Sequence, residues 1–151
     1  MHCAQFALKT FPELKKRYID TGKVRFIFRE FPLDPLAAGG FMLARCAGRE
    51  RYMAIVDALF ATQNEWVVRK PIKPLWEIAK QFGFTKKAFD ACLANQKVLD
   101  SIQEVRDRAA KKFGVNSTPT FFVNGKELVG DQSIQTLAKV IEPDLQKAKA
   151  L

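Results

Sequence analysis

The first thirty residues combine two different hydrophobic periods. Over residues 2 to 20, apolar side chains recur at spacings near 3.6, which predicts an amphipathic helix ending at Gly22. Apolar and basic positions then alternate one by one over 23–29, which predicts a strand. The helix presents Cys3, Phe6, Phe11, Leu14 and Tyr18 on one face, and the strand presents Val24, Phe26 and Phe28.

A long helical block follows, from about Leu36 to Leu93. Turn signals divide it into four predicted helices, the last of which Thr85 is suited to cap. These signals are Gly39-Gly40, Gly48, the stretch 70–74 and Gly83.

The next part of the chain contains one long helix and a hairpin. Asn95 opens an amphipathic helix, and Gly114 stands where a left-handed residue is expected after its end. Asn124-Gly125 separates two apolar-rich runs, 120–123 and 126–129. This pair predicts a tight hairpin, because a type I′ turn needs positive φ at both central positions.

Ser133 is expected to cap a last helix, which Pro143 is expected to kink or end. The predicted order is therefore helix, strand, helical block, helix, hairpin, helix, which indicates an α/β fold. A lone strand and a distant hairpin make a convincing sheet only if another strand lies between them.

Composition and charge exclude several classes of protein. The 151 residues are 48% apolar and 27% charged, which is typical of a single globular domain and not of a disordered or fibrous chain. No apolar run approaches the length of a membrane span, and the N-terminus lacks the pattern of a signal peptide. Much of the net charge of +9 falls near predicted helix ends, so no nucleic-acid partner is expected.

Two short motifs resemble those of one family. The segment from Phe113 to Gly125, with Thr118-Pro119 inside it, resembles the cis-proline loop and hairpin of DsbA-like thioredoxin-fold proteins. Met1-His2-Cys3 resembles the last three residues of their C-x-H-C active site, and the helical block lies where that family inserts a helical domain. The resemblance implies an α/β, thioredoxin-like fold with an inserted all-helical domain. The implied domains are 1–34 with 95–151, and 35–94.

The resemblance also implies a chemistry and its residues. In this family a first cysteine at a helix N-terminus attacks or leaves as a thiolate, and a second cysteine resolves the mixed disulfide. Cys3 corresponds to the resolving cysteine, and His2 to a neighbour that helps to stabilise a thiolate. Thr118 and Pro119 correspond to the substrate-binding loop, with a cis bond between them.

The family pattern places its first cysteine directly before Met1. We therefore expect that cysteine and the first core strand to be missing from this chain, so that its catalysis is weak or absent. A longer parent protein is the favoured explanation, and for that parent the resemblance implies a periplasmic or otherwise secreted location.

The resemblance further implies a structural disulfide. If Cys3 belongs to the active site, Cys46 and Cys92 remain on apolar helix faces, and a secreted protein would oxidise such a pair. The alternative is two separate buried thiols in a cytosolic protein.

The function implied is thiol-disulfide exchange on cysteines of folding polypeptides. The alternatives are a non-catalytic thioredoxin-fold module that binds extended peptides, and a DsbA-related glutathione-linked transferase or isomerase. The expected partners are reduced or unfolded polypeptides and a membrane redox partner, without insertion of this chain in the membrane. No cofactor is expected, and one His and three Cys leave few ligands for a metal.

Overall fold

The computed structural model describes residues 2–149 as mostly helical with a small sheet. The helices are α1 (His2–Gln5), α2 (Phe11–Leu14), α3 (Pro35–Cys46), α4 (Tyr52–Ala61), α5 (Gln63–Trp66), α6 (Ile72–Gln81), α7 (Lys86–Leu93), α8 (Gln96–Phe113) and α9 (Ile134–Lys149). The strands are β1 (Thr120–Val123) and β2 (Lys126–Val129). Within residues 2–149, no helix is long and apolar enough to cross a membrane.

The N-terminal helical run contains widened turns on either side of α2. These π-helical turns span Phe6–Thr10 and Lys15–Ile19. In the first, the N–H of Phe11 donates to the carbonyl of Phe6, five positions earlier. Pro12 has no N–H to donate, and its ring crowds the carbonyl four positions before it, which favours a wider turn there. The predicted amphipathic helix is present, with a wider backbone spiral than expected.

The strand predicted over 23–29 is absent, because residues 24–30 form no regular element. Their side chains still alternate, and Val24 and Phe26 pack against the buried core. A strand is defined by hydrogen bonds to a neighbouring strand. Among the described residues the sheet pairs only β1 with β2, so this segment keeps the alternation of a strand without its hydrogen bonds.

The hairpin predicted around Asn124-Gly125 is confirmed. β1 and β2 are antiparallel, with Thr120 opposite Val129 and Val123 opposite Lys126. Both turn residues have positive φ, at 47° and 85°, as a type I′ turn requires. The side-chain amide of Asn124 also donates to Asp144 at 2.8 Å, which ties the turn to α9.

The chain divides into two compact units. The first, here called the split unit, comprises 2–28 and 115–149, and the second, the helical unit, comprises 29–114. The core of the split unit joins the N-terminal helical run to α9. Its buried side chains are Phe6, Leu14, Tyr18, Ile134, Leu137 and Ile141.

This division differs from the expected domain limits at residues 29–34 and at the long helix α8. Residues 95–114 were expected with the split unit, whereas α8 packs against α3 within the helical unit. Ile102 of α8 is fully buried, and the guanidinium of Arg45 in α3 donates to Ser101 at 2.7 Å. These contacts explain why α8 belongs to the helical unit.

The helical block is helical as predicted, but Gly39 and Gly40 lie inside α3 instead of interrupting it. A Cβ atom added to Gly40 would lie 3.4 Å from Leu59 and 3.5 Å from Trp66. The absence of a side chain there thus lets α3 and its neighbours approach closely.

The ends of the predicted helices are largely where the sequence places them. The side chains of Thr85, Asn95 and Ser133 each accept a hydrogen bond from the backbone N–H three positions on. Gly114 follows α8 with φ of 69°, the left-handed conformation expected there. The expected end or kink at Pro143 does not stop α9, which continues to Lys149. Pro143 removes a single N–H donor, and Glu142 and Asp144 on either side of it bond to Tyr18 and Asn124.

Candidate active site

Cys3 lies in the first turn of the N-terminal helical run. Its side chain is half-buried and free, and the neighbouring His2 is exposed. Met1, the other residue of the motif, lies outside the described residues. The structure therefore places a thiol with partial access to solvent at the start of a helix.

The loop before β1 brings Thr118 and Pro119 to the sheet. The Thr118–Pro119 peptide bond is cis, and both residues are half-buried. The N–H of Gly130 donates to the carbonyl of Pro119 at 2.8 Å, which extends the hairpin by one more pair of residues. The hydroxyl of Thr120 donates to the carbonyl of Ser117 at 2.8 Å and tightens the turn.

A contact between two aromatic rings links the helix of Cys3 to the strand that follows Pro119. The ring centroids of Phe6 and Phe121 lie 4.6 Å apart. Phe6 follows Cys3 by less than one helical turn, and Phe121 follows Pro119 by two strand positions. The thiol and the proline loop thus flank the same contact in the split unit.

Polar groups around the proline loop remain open. Within residues 2–149, no hydrogen bond between backbone groups uses the N–H or carbonyl of Thr118. In the same part of the chain, Asp131 has a buried carboxylate oxygen without a hydrogen-bond partner. Asp131 directly follows Gly130, whose N–H holds Pro119. The loop therefore offers unpaired main-chain groups beside a fixed carbonyl.

Cys46 and Cys92 form a disulfide in the helical unit. Their Cα atoms are 6.1 Å apart, within the range that a disulfide spans. The pair joins the end of α3 to α7 across 46 positions of sequence. Neither sulfur therefore supplies a second free thiol to accompany Cys3.

The helical unit also contains a charged cluster around the buried Glu30 that no sequence motif marks. Arg45 donates to both carboxylate oxygens of Glu30, at 2.7 and 3.0 Å, and the Tyr52 hydroxyl donates at 2.8 Å. Burial raises the pKa of Glu30, but these hydrogen bonds outweigh it and hold the pKa below its ordinary value. Burial and the bond to Glu30 raise the pKa of the Tyr52 hydroxyl.

No set of His, Cys, Asp and Glu side chains in the described part of the chain is arranged to hold a metal ion. The sequence identified Cys3, His2, Thr118 and Pro119 by their motifs, but it missed the Phe6–Phe121 contact and the open oxygen of Asp131. Phe6 follows Cys3 by about one helical turn, but the sequence gives no sign that Phe121 contacts it. Nothing in the sequence marked Asp131.

Comparison with known proteins supports one family. The family model for Thioredoxin matches residues 1–143. A Rickettsia conorii protein assigned by its name to the protein-disulfide oxidoreductases is 31% identical, over 98% of this chain and 54% of that protein. A Rickettsia bellii protein of the same designation is 30% identical, over 98% of this chain and 58% of that protein. This chain thus spans about half the length of the curated relatives it matches.

A solved structure covers nearly all of the chain. The crystal structure of Wolbachia pipientis alpha-DsbA1 matches with a TM-score of 0.91 and 30% identity, over 99% of this chain and 82% of that chain. The expected thioredoxin-like fold is confirmed. This chain therefore belongs to the thioredoxin family, within its DsbA-like group.

Proposed function

We propose that this chain carries the resolving half of a protein thiol-disulfide exchange site, with Cys3 as the second cysteine of a C-x-H-C motif. The observation that carries the proposal is the placement of Cys3. It is a free thiol at the start of a helix, and that helix packs through Phe6 against the strand that follows Thr118-Pro119. The relatives assigned to protein-disulfide oxidoreductases by name support the same chemistry.

The exchange begins with Cys3 in a disulfide with the first cysteine of the motif. A substrate thiolate attacks the sulfur of the first cysteine, the bond to Cys3 breaks, and Cys3 leaves as a thiolate. A second substrate thiolate then attacks the mixed disulfide and releases the first cysteine. The substrate gains a disulfide, and its two electrons remain on the two cysteines of the motif. In the reverse direction, Cys3 attacks the mixed disulfide and releases the substrate.

The first sulfur of this site has to come from outside residues 1–151. Cys46 and Cys92 are bonded to each other, so no other free thiol accompanies Cys3 in this sequence. The family pattern places the first cysteine directly before Met1. By itself the chain is therefore expected to bind substrate polypeptides and to react with them slowly through Cys3. It should catalyse little or no turnover of these substrates.

Thr118 and Pro119 are proposed to hold the substrate. The carbonyl of Pro119 is already used by Gly130, whereas the main-chain groups of Thr118 make no backbone hydrogen bond in the described chain. An extended polypeptide can pair with Thr118 as a short added strand, which places its cysteine beside the reacting sulfurs. His2 is exposed beside Cys3 and is proposed to donate a hydrogen bond to the departing thiolate.

The proposed substrates are reduced or unfolded polypeptides in the periplasm or another oxidising compartment. The Cys46–Cys92 bond supports this location, because disulfides persist where the surroundings are oxidising. After each turnover the two cysteines of the motif have to pass their electrons to an oxidant. A membrane redox partner is proposed for that step.

The test compares three proteins: this chain, a form extended by a cysteine directly before Met1 and a preceding strand, and the extended form with Cys3→Ser. The assay is oxidation of a reduced, unfolded protein. We expect strong activity only from the second protein. Equal turnover by the first two contradicts the placement of the site. An inactive extended form that still binds peptides favours the non-catalytic binding module instead.

A further inference from the structure

We propose that residues 67–73, here called the turn, which comprise the link between α5 and α6 and the first two residues of α6, dock this protein peripherally on an anionic lipid surface. The turn combines exposed aliphatic side chains with unpaired cations in a backbone held by hydrogen bonds. The exchange chemistry proposed above uses none of these residues, and the lipid surface is a separate interaction of the helical unit.

Aliphatic side chains are concentrated and exposed in this turn. Val67, Val68 and Ile72 are 50%, 41% and 54% exposed, although all three lie within six positions of sequence. Single exposed hydrophobic residues are common on protein surfaces, but a cluster of them marks a binding surface. The core beneath the turn is already supplied by Trp66 and Leu75, which are 5% and 2% exposed.

The backbone of the turn is held in this arrangement by its own hydrogen bonds. The buried indole of Trp66 donates to the carbonyl of Leu59 at 2.8 Å. The N–H of Val68 donates to the carbonyl of Trp66 at 2.9 Å, which makes a tight three-residue turn at Val67. The N–H of Leu75 donates to the carbonyl of Pro71 at 2.9 Å and closes the first turn of α6. The aliphatic side chains are therefore presented from a fixed backbone.

The cations of the turn are not explained by pairing or by a helix end. Arg69, Lys70 and Lys73 are exposed and form no salt bridge within the described residues. They precede or begin α6, where the helix dipole disfavours positive charge. No acidic residue lies between Glu65 and Glu77, and Glu77 is paired with Lys80. An anionic partner would complement this uncompensated charge.

The chemistry of the turn favours lipid over a protein partner. Protein interfaces are depleted in lysine, whereas this turn carries two exposed lysines beside its exposed aliphatic side chains. A membrane of anionic phospholipids takes up aliphatic side chains at the acyl boundary and attracts nearby lysine and arginine to its headgroups. The aliphatic side chains and the cations of the turn are thus both complementary to an anionic lipid surface.

The test measures co-sedimentation of the full chain with vesicles, using equal parts phosphatidylcholine and phosphatidylglycerol against phosphatidylcholine alone. One variant, Arg69→Gln/Lys70→Gln/Lys73→Gln, removes the charge of the turn. Its control, Lys87→Gln/Lys97→Gln/Lys112→Gln, removes three exposed cations elsewhere in the helical unit, so both have the same net charge. A third variant, Val67→Ser/Val68→Ser/Ile72→Ser, removes the aliphatic groups. Thermal unfolding verifies that each variant is folded.

We expect the protein to bind the anionic vesicles and not the neutral ones, with weaker binding at high salt. Each cation of the turn contributes about fivefold, so its triple variant should bind about a hundredfold more weakly than the control. The aliphatic variant should lose about tenfold or more. Any one of three results would overturn the proposal. The first is failure of the protein to bind the anionic vesicles, and the second is an equal loss of binding affinity in the turn and control variants. The third is binding of soluble polyglutamate by the turn as strongly as of the vesicles.

Discussion

The hydroxyl of Tyr18 donates a hydrogen bond to Glu142 at 2.6 Å, although the two residues are 124 positions apart in sequence. Tyr18 is 1% exposed, and Arg17 donates to the same hydroxyl at 3.0 Å. The bond joins the N-terminal helical run to α9 and is thus one of the long-range links of the split unit.

Replacement of Tyr18 by Phe should therefore lower the free energy of unfolding by about 1 to 2 kcal/mol, because a hydrogen bond to a charged acceptor is lost. Urea unfolding at neutral pH measures the change. Glu142→Gln keeps a neutral acceptor and serves as the comparison, with a smaller expected loss. A larger loss for Glu142→Gln than for Tyr18→Phe would contradict the assignment.

Removal of the disulfide should destabilise the helical unit. By the chain-entropy model, a loop closed across 46 positions contributes about 4 kcal/mol. Cys46→Ala/Cys92→Ala should therefore unfold at much lower denaturant concentration than the parent protein. Cys3→Ser is the matched cysteine variant and should change stability by less than about 0.5 kcal/mol. The prediction fails if both variants unfold at the same concentration.

The Glu30 cluster predicts how stability changes in acid. Because the pKa of Glu30 is lower in the folded protein than in the unfolded chain, its contribution is complete above the unfolded value. That contribution is lost as the pH falls through the folded pKa. Unfolding free energies measured from neutral pH down to acid should show this loss.

Glu30→Gln should show less of this acid dependence and should cost about 2 kcal/mol at neutral pH, since Arg45 loses its charged partner. Glu77→Gln removes an exposed carboxylate paired with Lys80 and should change stability by less than about 1 kcal/mol. An unchanged acid dependence in Glu30→Gln would assign the acid response to other groups.

Amide exchange should distinguish the extended segment from the hairpin. The N–H groups of residues 25–27 donate no backbone hydrogen bond within the described chain, so their protons should exchange rapidly with solvent. The N–H of Gly130 donates to Pro119 and should be protected. Hydrogen exchange followed by NMR compares them directly. Equal protection would show that residues 25–27 are paired in solution.

Local signals predicted the helix ends and the hairpin well. Asn95 and Gly114 bracket α8 because a side-chain cap and a left-handed glycine act within a few residues of themselves. Asn124-Gly125 likewise specifies its turn through two backbone angles. The strand predicted over 23–29 does not form, since pairing depends on a neighbouring strand and the alternation of side chains does not reveal one.

The candidate site residues that belong to short sequence motifs could be proposed from the sequence. Cys3 and Thr118-Pro119 were proposed from short stretches of sequence, and the resemblance to the family joined them. The contact of Phe6 with Phe121 and the cluster around Glu30 were not predictable, because they unite residues distant along the chain. Glu30 is a single charged residue after an apolar segment. The local sequence does not indicate that the Arg45 guanidinium and the Tyr52 hydroxyl donate hydrogen bonds to it.

The buried indole of Trp66 has a spectroscopic consequence. Both tryptophans of the chain, Trp66 and Trp76, lie in the helical unit, so emission from tryptophan reports on that unit alone. Circular dichroism in the far ultraviolet sums the helices of both units. Unfolding curves recorded by the two methods will coincide if the units unfold together and will separate if one unit melts first. The native sequence therefore carries a reporter that resolves the two units without any label.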